Sequence, residues 1–566
     1  MRLASINTRN GLAQLLGIEI KELTYVLYKE KVDFFYTTFS IPKKSGGQRE
    51  INAPKGKLKF IQKRLKQVLE TDYNSICTEY NLNTNVAHAF KKGRGIITNA
   101  RVHRNKKYII NVDLESFFDS FNFGRVRGYF IKSRYWSLDP TIATLIAQIT
   151  CYKNVLPQGA PTSPIITNLI CNVMDWYITQ LAKKYKLSYT RYADDMTFAT
   201  NDNKIVENFN TFLEELKEEV EKNGFKLNES KTRFTDCYKR QEVTGLIVNK
   251  KVSVKREYYK NTHAMANTLY RTKEYTIDGN NGTLNQLEGR FTFIDQIDKY
   301  NNSIDGVKHH TECLSRREKK YQEFLFYKYF CVNMLPLVLT EGKTDKIYIK
   351  TALRSLSSKY NHFISNKDDK YEYKVSFLKR SSRLEYLFGI NKDGAAPLTN
   401  VIKLYKNTEK SNNGNYAKKL IERYNVVPNS PVILLYDNEF DEKDSPIKQL
   451  IRGQKIDEDK LKKELFVRLV ANLYVQVIPI TDGKKKCEIE DLLGVDVDKI
   501  IIDGRKFDRK GKKNKEEYYN KDIFSHYVEQ HESDFDYSGF VMLFDTWDKI
   551  MDDYKLYRER MLNTEG

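Results

Sequence analysis

The sequence predicts a multidomain protein in which a mixed α+β region is followed by an α/β domain built on a parallel sheet. The chain has 566 residues, and domains of about 150 residues would divide it into about three or four folding units. Two strand-like patterns, over residues 107–113 and 189–200, indicate the sheet of the first part. Farther on, apolar strands alternate with helical patterns, as in parallel α/β domains. Hydrophobic residues make up 40% of the chain, which excludes wholesale disorder.

The chain is strongly basic. Its Lys and Arg residues exceed its Asp and Glu residues by 95 − 74 = 21, and its isoelectric point is near 9.2. Such an excess favours binding to polyanions, of which nucleic acid is the commonest. A lysine-rich composition inherited from an AT-biased genome is the alternative explanation and stays open.

Targeting and disulfide signals are not visible in the sequence. Residues 1–20 lack the basic and apolar regions of a signal peptide, and no stretch approaches the roughly 18 apolar residues of a membrane helix. The seven cysteines are scattered without a Cys-x-x-Cys pair, which fits a reducing compartment. We therefore expect a cytoplasmic protein with no membrane partner.

The elements of the first part follow in order. Residues 41–49 predict a hairpin with a Ser-Gly-Gly tip, and residues 43–66 carry nine basic side chains against one acid. The apolar run 107–113 predicts a buried strand that ends on an aspartate. Residues 189–200 predict two strands around a polar turn. Residues 203–224 predict an amphipathic helix, whose final Asn-Gly pair is a C-cap signal.

The second part begins after a helical region rich in Tyr, Lys and Arg over residues 255–330. Residues 335–342 then predict an apolar strand that runs into a Glu-Gly turn and a helix. Residues 431–437 and 473–480 predict two more strands of the same kind. The change from a helical pattern to alternating apolar strands and helices places a domain boundary at about residue 330.

Three aspartates stand at the ends of predicted strands in the first part. Asp113 closes one strand, and Asp194 and Asp195 lie at the tip of the predicted hairpin. Carboxylates held rigidly beside a basic groove are what two Mg²⁺ or Mn²⁺ ions need to activate a 3′-hydroxyl and hold a triphosphate. Adjacent aspartates also occur as simple turn formers, and this alternative applies to each motif taken alone.

The order of these motifs resembles the reverse transcriptase family. The motifs are Arg49 after the basic hairpin, Asp113 followed five positions later by Phe118, and the segments Leu156–Pro164, Tyr192–Asp195 and Gly224–Thr232. The resemblance implies a right-hand fold of fingers, palm and helical thumb, with fingers and palm over residues 1–245 and the thumb over 246–330.

The resemblance also implies roles for individual residues. Asp113, Asp194 and Asp195 would bind the metal ions. Phe118 would exclude a 2′-hydroxyl and favour dNTPs, although a core aromatic is the alternative, since Phe117 precedes it. The remaining implied roles are triphosphate binding by Arg49, with Lys43 and Lys44 as weaker candidates, nucleotide contact by Gln158, and neutralisation or protonation of the leaving pyrophosphate by Lys231.

Two further motifs resemble those of bacterial retron reverse transcriptases. They are Asn99-Ala-Arg-Val-His103 and Val243-Thr-Gly245. The resemblance implies a cognate noncoding RNA of the msr-msd type, priming from an internal 2′-hydroxyl, a branched RNA–DNA product (msDNA), and RNA contacts by Asn99 and His103. A structural role for His103 is the alternative. A basic, aromatic thumb suits RNA recognition through phosphates, 2′-hydroxyls and stacking.

The second part carries its own acidic cluster. Acids follow each of the three apolar strands, and the carboxyl ends of parallel strands share one edge of a sheet. The pattern resembles a TOPRIM domain of the overcoming-lysogenization-defect nucleases over residues 331–566, with Glu439 standing where the family has a second Asp. The resemblance implies metal binding by Glu341, Asp437 and Glu439, help with a second ion from Asp345 and Glu490, and phosphate stabilisation by Lys521.

The sequence thus predicts a retron reverse transcriptase fused to a metal-dependent TOPRIM nuclease. The resemblance implies a toxin–antitoxin arrangement in antiphage defence, in which the msDNA restrains the nuclease. A non-catalytic TOPRIM scaffold that binds msDNA, or a group II-like mobile-element enzyme, are the alternatives. The nuclease target, whether DNA, RNA or tRNA, and assembly into homo-oligomers stay open.

Overall fold

The structure is a computed structural model in which the chain divides into two compact units, Met1–Arg256 and Glu257–Gly566. The residues that the structure describes are 2–30, 32–42, 46–82, 85–306, 313–368, 370–390, 394–406, 415–481, 483–509 and 513–563.

The first unit contains eight complete α-helices and the start of a ninth among its described residues, together with eight strands. The helices are α1 Arg9–Leu16, α2 Ile20–Thr24, α3 Gly56–Glu79, α4 Ile96–Val102, α5 Phe123–Lys132, α6 Pro140–Thr150, α7 Ser163–Lys184, α8 Lys204–Lys222 and α9 Arg256–Thr272. The strands are β1 Tyr36–Pro42, β2 Gln48–Pro54, β3 Tyr108–Leu114, β4 Ser188–Tyr192, β5 Asp195–Thr200, β6 Leu227–Asp236, β7 Glu242–Val243 and β8 Leu246–Ile247. Single turns of 3₁₀ or π helix occupy Leu3–Ser5, Tyr25–Lys29 and Val32–Phe35.

A four-stranded antiparallel sheet of order β4-β5-β3-β6 organises this unit. The central strand β3 is rich in β-branched residues, and Ile109, Ile110 and Val112 are all buried, as expected for a strand covered on both faces. The predicted strand at 107–113 and the predicted strand pair at 189–200 are therefore confirmed. Helix α8 confirms the amphipathic prediction, with its C-cap at Asn223 and Gly224 at φ +72°.

The predicted basic hairpin is also present. Strands β1 and β2 pair antiparallel, with Ile41 opposite Arg49. Apart from Tyr36 and Pro54, the described strand residues are largely exposed on both faces. Lys43, Lys44 and the first residue of the predicted Ser-Gly-Gly tip lie outside the described residues.

The second unit has ten further helices and twelve strands among its described residues. The helices are α10 Leu284–Ile304, α11 Arg316–Phe326, α12 Asp345–Ser355, α13 Ser382–Phe388, α14 Ala396–Tyr405, α15 Tyr416–Tyr424, α16 Pro446–Gln454, α17 Glu458–Glu464, α18 Lys521–Gln530 and α19 Val541–Asn563. The strands are β9 Thr276–Ile277, β10 Asn280–Asn281, β11 Leu337–Thr340, β12 Ile364–Lys367, β13 Lys370–Tyr373, β14 Ser376–Phe377, β15 Val432–Tyr436, β16 Phe466–Val470, β17 Leu473–Val477, β18 Ile501–Ile502, β19 Arg505–Phe507 and β20 Tyr518–Tyr519. Single turns of 3₁₀ or π helix occupy Tyr327–Cys331, Ile489–Leu493, Val497–Lys499, Glu532–Asp534 and Ser538–Phe540.

A five-stranded sheet of order β14-β11-β15-β17-β16 forms the centre of the second unit. Its first four strands are mutually parallel, and β16 is antiparallel to β17. All five residues of β15 and all five of β17 are buried, because helices cover both faces of a parallel sheet. The three apolar strands predicted in the second part are confirmed as β11, β15 and β17, and so is their parallel arrangement.

Helices α9–α11 share a hydrophobic core with this sheet. Leu269, Phe291 and Phe324 from these helices belong to the same buried cluster as Leu337 and Leu434 from β11 and β15. The division into segments 1–245, 246–330 and 331–566 stays a prediction. Among the described residues, none of the helices combines the length and the apolar character that a membrane crossing requires.

Candidate functional site

Three aspartates predicted to act together meet at one end of the sheet in the first unit. Asp113 lies directly opposite Asp195 in the β3–β5 pairing. The backbone N–H of Leu114 donates to the carbonyl of Asp194 at 3.1 Å. Strand pairing therefore brings carboxylates from distant parts of the sequence side by side.

The three aspartates lie close enough for their negative charges to repel one another. Partial loss of surrounding water, together with the charges of Asp194 and Asp113, raises the pKa of Asp195 to about 7, although its side chain keeps contact with solvent. Loss of water and the charge of Asp113 also raise the pKa of Asp194. Lys231 Nζ donates to Asp113 Oδ2 at 2.9 Å, and this hydrogen bond raises the pKa of Lys231.

A tight turn presents two of the aspartates. Tyr192 pairs with Asp195, so only Ala193 and Asp194 connect β4 to β5. Ala193 has a φ of +57°, which suits the two-residue hairpin turn but is uncommon for a residue with a side chain. Arg191 Nη1 donates to the carbonyl of Ala193 at 3.0 Å, and this hydrogen bond stabilises the conformation of the turn. Sequence reasoning missed Arg191, although its place directly before the motif was a signal.

The hairpin that carries Arg49 is fastened to the loop that carries Gln158. The backbone N–H of Asn52 donates to the carbonyl of Gln158 at 2.8 Å. Gly159, at φ +118°, allows this approach, because a Cβ there would lie 2.9 Å from Ile51 Cγ2. Arg49 is exposed, and its charge reaches far enough to lower the pKa of Asp194 against the stronger effect of lost water. The segments that carry Arg49 and Gln158 are thus joined to each other.

The two neighbouring phenylalanines have different surroundings. Phe117 is 4% exposed, and its ring stacks on Phe225 and lies edge-on to Phe121. Phe118 is only partly buried and packs at the margin of the same core. The inward-facing residue of the pair is therefore Phe117, which leaves Phe118 available as the sugar contact.

Asn99 and His103 lie inside the first unit. Both side chains are 0% exposed, and His103 Nε2 lies 2.6 Å from Thr190 Oγ1 on β4. Burial lowers the pKa of His103 to about 3. Helix α4, which carries Asn99, also packs beside the β7–β8 hairpin, where Thr244 Oγ1 donates to the carbonyl of Ile96 at 3.4 Å. The two retron-like motifs are thus neighbours, and contact of Asn99 and His103 with RNA stays a prediction.

The acids predicted in the second unit converge at the carboxyl edge of its parallel strands. Glu341 follows β11, and Asp437 follows β15. The backbone N–H of Asp437 donates to Glu341 Oε1 at 3.2 Å. Asp345 Oδ2 accepts the backbone N–H of Gly342 at 2.8 Å, which keeps this side chain at the same edge.

These acids are buried close to one another, and both burial and the repulsion between their negative charges raise their pKa values. Burial, followed by the charges of Glu341 and Asp345, raises the pKa of Asp437. Burial and the neighbouring charges of Asp345 and Glu439 raise the pKa of Glu341 to about 8, against a lowering hydrogen bond from the backbone of Asp437. Burial raises the pKa of Glu490 to about 7. Burial also raises the pKa of Asp345 and that of Glu439.

Lys521 contacts two acidic side chains of the second unit. Its Nζ atom is 3.1 Å from Glu490 Oε1 and 2.9 Å from Glu488 Oε2. Attraction to both carboxylates raises the pKa of Lys521 despite its burial. Arg509 Nη1 lies 3.6 Å from the same oxygen of Glu488. The sequence places Glu488 in the same acidic segment as Glu490, after the third apolar strand, but only Glu490 was assigned a role there.

Both clusters have donors that suit divalent cations. Crowded carboxylates with raised pKa values are hard oxygen ligands, and a bound cation would relieve their repulsion. Over the described ranges, no group of three or more His, Cys, Asp or Glu side chains already has the arrangement of a metal site. Lys231 Nζ contacts Asp113 in the first cluster, and Lys521 Nζ contacts Glu490 in the second. A bound cation would compete with each lysine for the same carboxylate.

Comparison with known proteins relates about half of the chain to one family, and the matched family model lies within the first unit. The family model described as reverse transcriptase (RNA-dependent DNA polymerase) matches residues 41–252. The retron Mx162 reverse transcriptase of Myxococcus xanthus is 31% identical over 327 residues, covering 52% of this chain and 65% of that protein. The retron Ec86 reverse transcriptase of Escherichia coli is 31% identical over 322 residues, covering 56% of this chain and 91% of that protein.

Among solved structures, an apo telomerase from Candida tropicalis aligns with a TM-score of 0.30 at 15% identity, over 41% of this chain and 56% of that one. The similarity to the Ec86 protein extends over nearly the whole of that relative, and the matched family model spans the three aspartates. The chain belongs to the retron reverse transcriptase family.

Proposed function

We propose that the first unit is an RNA-directed DNA polymerase that copies a cognate noncoding RNA into branched msDNA. The observation that carries the proposal is the convergence of Asp113, Asp194 and Asp195 at one end of the sheet, in a chain of this family. The names of the similar proteins support the retron type of product.

The side chains around the aspartates have complementary tasks in this reaction. Asp113, Asp194 and Asp195 would hold Mg²⁺ or Mn²⁺, which supplies charge neutralisation for the triphosphate and lowers the pKa of the attacking hydroxyl. Arg49 would contact the triphosphate, and Gln158 the incoming dNTP. Phe118 would lie under the sugar.

Lys231 would act on the leaving pyrophosphate. Its ammonium now donates to Asp113 at 2.9 Å, so it already stands beside the metal-binding carboxylate. Lys231 would neutralise or protonate the leaving pyrophosphate, because its ammonium carries both a positive charge and a proton. The same side chain thereby stabilises the aspartates before substrate arrives and neutralises the product afterwards.

Primer extension on a structured RNA template tests the polymerase proposal. Asp194→Asn removes one anionic ligand while nearly keeping its shape, and we expect DNA synthesis by the full-length chain to fall by several orders of magnitude. Asp119→Asn is the matched control, because Asp119 is exposed. Near-normal extension by Asp194→Asn would remove this residue from the proposed site.

The RNA partner can be identified directly. Sequencing of RNA that co-purifies with the full-length protein should return one structured noncoding RNA with inverted repeats. Intron RNA in its place would favour a group II-like mobile-element enzyme.

We also propose that the second unit is a metal-dependent nuclease of the TOPRIM kind. The edge formed by Glu341, Asp345 and Asp437 supports this proposal, since carboxylates at the carboxyl ends of parallel strands suit one or two Mg²⁺ or Mn²⁺ ions. Glu439 and Glu490 would complete the ligand set. Lys521 would stabilise the charge that develops on the attacked phosphate. The msDNA would restrain this activity until phage infection removes the restraint.

Cleavage assays with the full-length protein test the nuclease proposal. DNA, RNA and tRNA substrates are incubated with Mg²⁺ or Mn²⁺ after removal of bound nucleic acid, and Glu341→Gln should abolish cleavage. Glu516→Gln is the control, because Glu516 is exposed. If wild type and Glu341→Gln are equally inactive on all three substrates yet bind msDNA, the non-catalytic scaffold is the better description.

A further inference from the structure

Tyr238 is the feature of the first unit that the proposed chemistry does not use. Its side chain is 95% exposed, more than any other large hydrophobic side chain among the described residues. It stands in the loop between β6 and β7, with Lys239 and Arg240 directly after it. Single exposed apolar side chains are common on protein surfaces, and this one is distinguished by the hydrogen-bonded loop that carries it and by the cations around it.

This loop is held in one conformation by side chains beneath it. Asp236 Oδ1 accepts the backbone N–H groups of Tyr238 at 3.0 Å and Lys239 at 3.1 Å. Asn249 Nδ2 donates to the carbonyls of Cys237 at 3.2 Å and Lys239 at 2.7 Å. Together these bonds satisfy the backbone of the turn, so the exposed ring is presented by a preorganised support.

Two other basic segments are joined to this loop. The backbone N–H of Val248 donates to the carbonyl of Gln241 at 3.1 Å, and that of Asn105 donates to the carbonyl of Val248 at 2.9 Å. Gln241 Nε2 donates to the carbonyl of Lys107 at 3.1 Å. Segments 104–107, 236–241 and 248–251 therefore form one surface.

The charge of this surface is strongly positive. Its three segments carry seven basic residues and a single acid, Asp236, whose carboxylate is engaged by the backbone of the loop. The basic residues are Arg104, Lys106, Lys107, Lys239, Arg240, Lys250 and Lys251. Proteins bind single-stranded nucleic acid with this combination of groups: the cations contact the phosphates, and the exposed aromatic ring stacks on a base.

We propose that Tyr238 is a stacking platform for one base of the bound nucleic acid, with its phosphates held by Lys239, Arg240 and the two adjoining basic segments. The site lies outside the group of residues that handle the incoming nucleotide. It deepens the proposed polymerase function, because a polymerase must grip a strand as well as perform chemistry on it. The preorganised loop lowers the entropy lost on binding.

Equilibrium binding of labelled oligonucleotides, measured without dNTPs, tests the site independently of catalysis. The arms are single-stranded RNA, single-stranded DNA and an RNA–DNA hybrid with a single-stranded overhang. Tyr238→Ala in the full-length chain should weaken at least one arm by roughly 5- to 150-fold, the value expected for loss of one base stack. Tyr238→Phe and Tyr238→Trp should keep affinity, because either ring can stack.

The charges around the ring are tested by salt. Lys239→Gln with Arg240→Gln should flatten the dependence of log affinity on log salt by about 0.7 for each phosphate of a single strand that the protein no longer neutralises. Tyr371→Ala is the control for loss of an exposed tyrosine, since Tyr371 is 43% exposed on β13 of the second unit.

Two results would overturn the site. Unchanged affinity of Tyr238→Ala in all three arms would show that the ring contacts no nucleic acid. A loss in Tyr238→Phe as large as in Tyr238→Ala would show that the hydroxyl, and not the ring face, makes the contact. Failure of the polymerase proposal is distinguishable, because it would appear as normal binding by the wild type without DNA synthesis.

Discussion

Arg191 and Asp175 form a buried, two-pronged ion pair beneath the turn that carries Asp194. Arg191 Nε and Nη2 each donate to a separate oxygen of Asp175 at 2.8 Å, and the two side chains are 0% and 6% exposed. Tyr189 donates to the same carboxylate at 2.9 Å. The pair thus links helix α7 to the strand that leads into the turn.

Removing one member of this pair should be costly. Asp175→Asn leaves the Arg191 guanidinium buried without its counter-charge, and we expect the free energy of unfolding to fall by about 3–5 kcal/mol. Urea denaturation of the full-length protein measures this loss. Lys184→Gln, which removes an exposed ion pair with Glu215, should cost less than about 1 kcal/mol. Equal losses in the two variants would contradict the role of Asp175.

Sugar selection should depend on Phe118. Phe118→Ala should open space beside C2′ of the incoming nucleotide, so the ratio of ribonucleotide to deoxyribonucleotide incorporation should rise markedly in primer extension. Phe117→Ala should instead destabilise the fold by about 3–5 kcal/mol, because it empties a core position. An unchanged ratio in a folded Phe118→Ala protein would assign Phe118 to packing alone.

Buried His103 should make stability fall in acid. Its pKa of about 3 in the folded state lies below the ordinary value of about 6.5, so the unfolded chain binds the proton more readily. The stabilisation is complete above pH 6.5 and is lost as pH falls toward 3. We expect about 2 kcal/mol to be lost between pH 7 and pH 5 from this group.

The measurement for His103 is the difference between two proteins. Urea denaturation of the wild type and of His103→Gln at both pH values isolates the contribution of this side chain from those of other titrating groups. A pH dependence as steep in His103→Gln as in the wild type would show that His103 does not carry it.

Coupling between the two proposed activities can be tested in cells. Glu341→Gln should abolish growth arrest, both alone and combined with Asp194→Asn, while Glu341→Gln alone leaves msDNA at normal levels. The physical reason is that msDNA would restrain the proposed nuclease only through a higher affinity for its idle state, and an inactive nuclease would have nothing to restrain. Growth under phage challenge is scored together with msDNA abundance. The same arrest in Glu341→Gln as in the wild type would place the toxic activity elsewhere.

Local patterns in the sequence were sufficient to predict much of the fold. The strand that ends near Asp113, the strand pair around Asp194 and the three parallel strands of the second unit all follow from short apolar runs bounded by turn residues. The C-cap at Gly224 likewise follows from local backbone chemistry.

Features that depend on contacts between residues far apart in the sequence were not predictable in this way. The burial of Asn99 and His103 arises because α4 packs on β4, which no short pattern encodes. The partnership of Arg191 with Asp175 and that of Lys521 with Glu488 join residues from different elements. Which acid each of these two basic side chains contacts could therefore be determined only from the structure.

The shared core of α9–α11 and the parallel sheet bears on how such a chain can be assembled from parts. A recombination breakpoint at residue 330 would separate Phe291 and Phe324 from Leu337 and Leu434, which belong to one buried cluster. A breakpoint near residue 256 falls between the two compact units and leaves that cluster whole. We therefore expect a C-terminal sheet that is transferred without these helices to expose apolar side chains to water unless another element covers them.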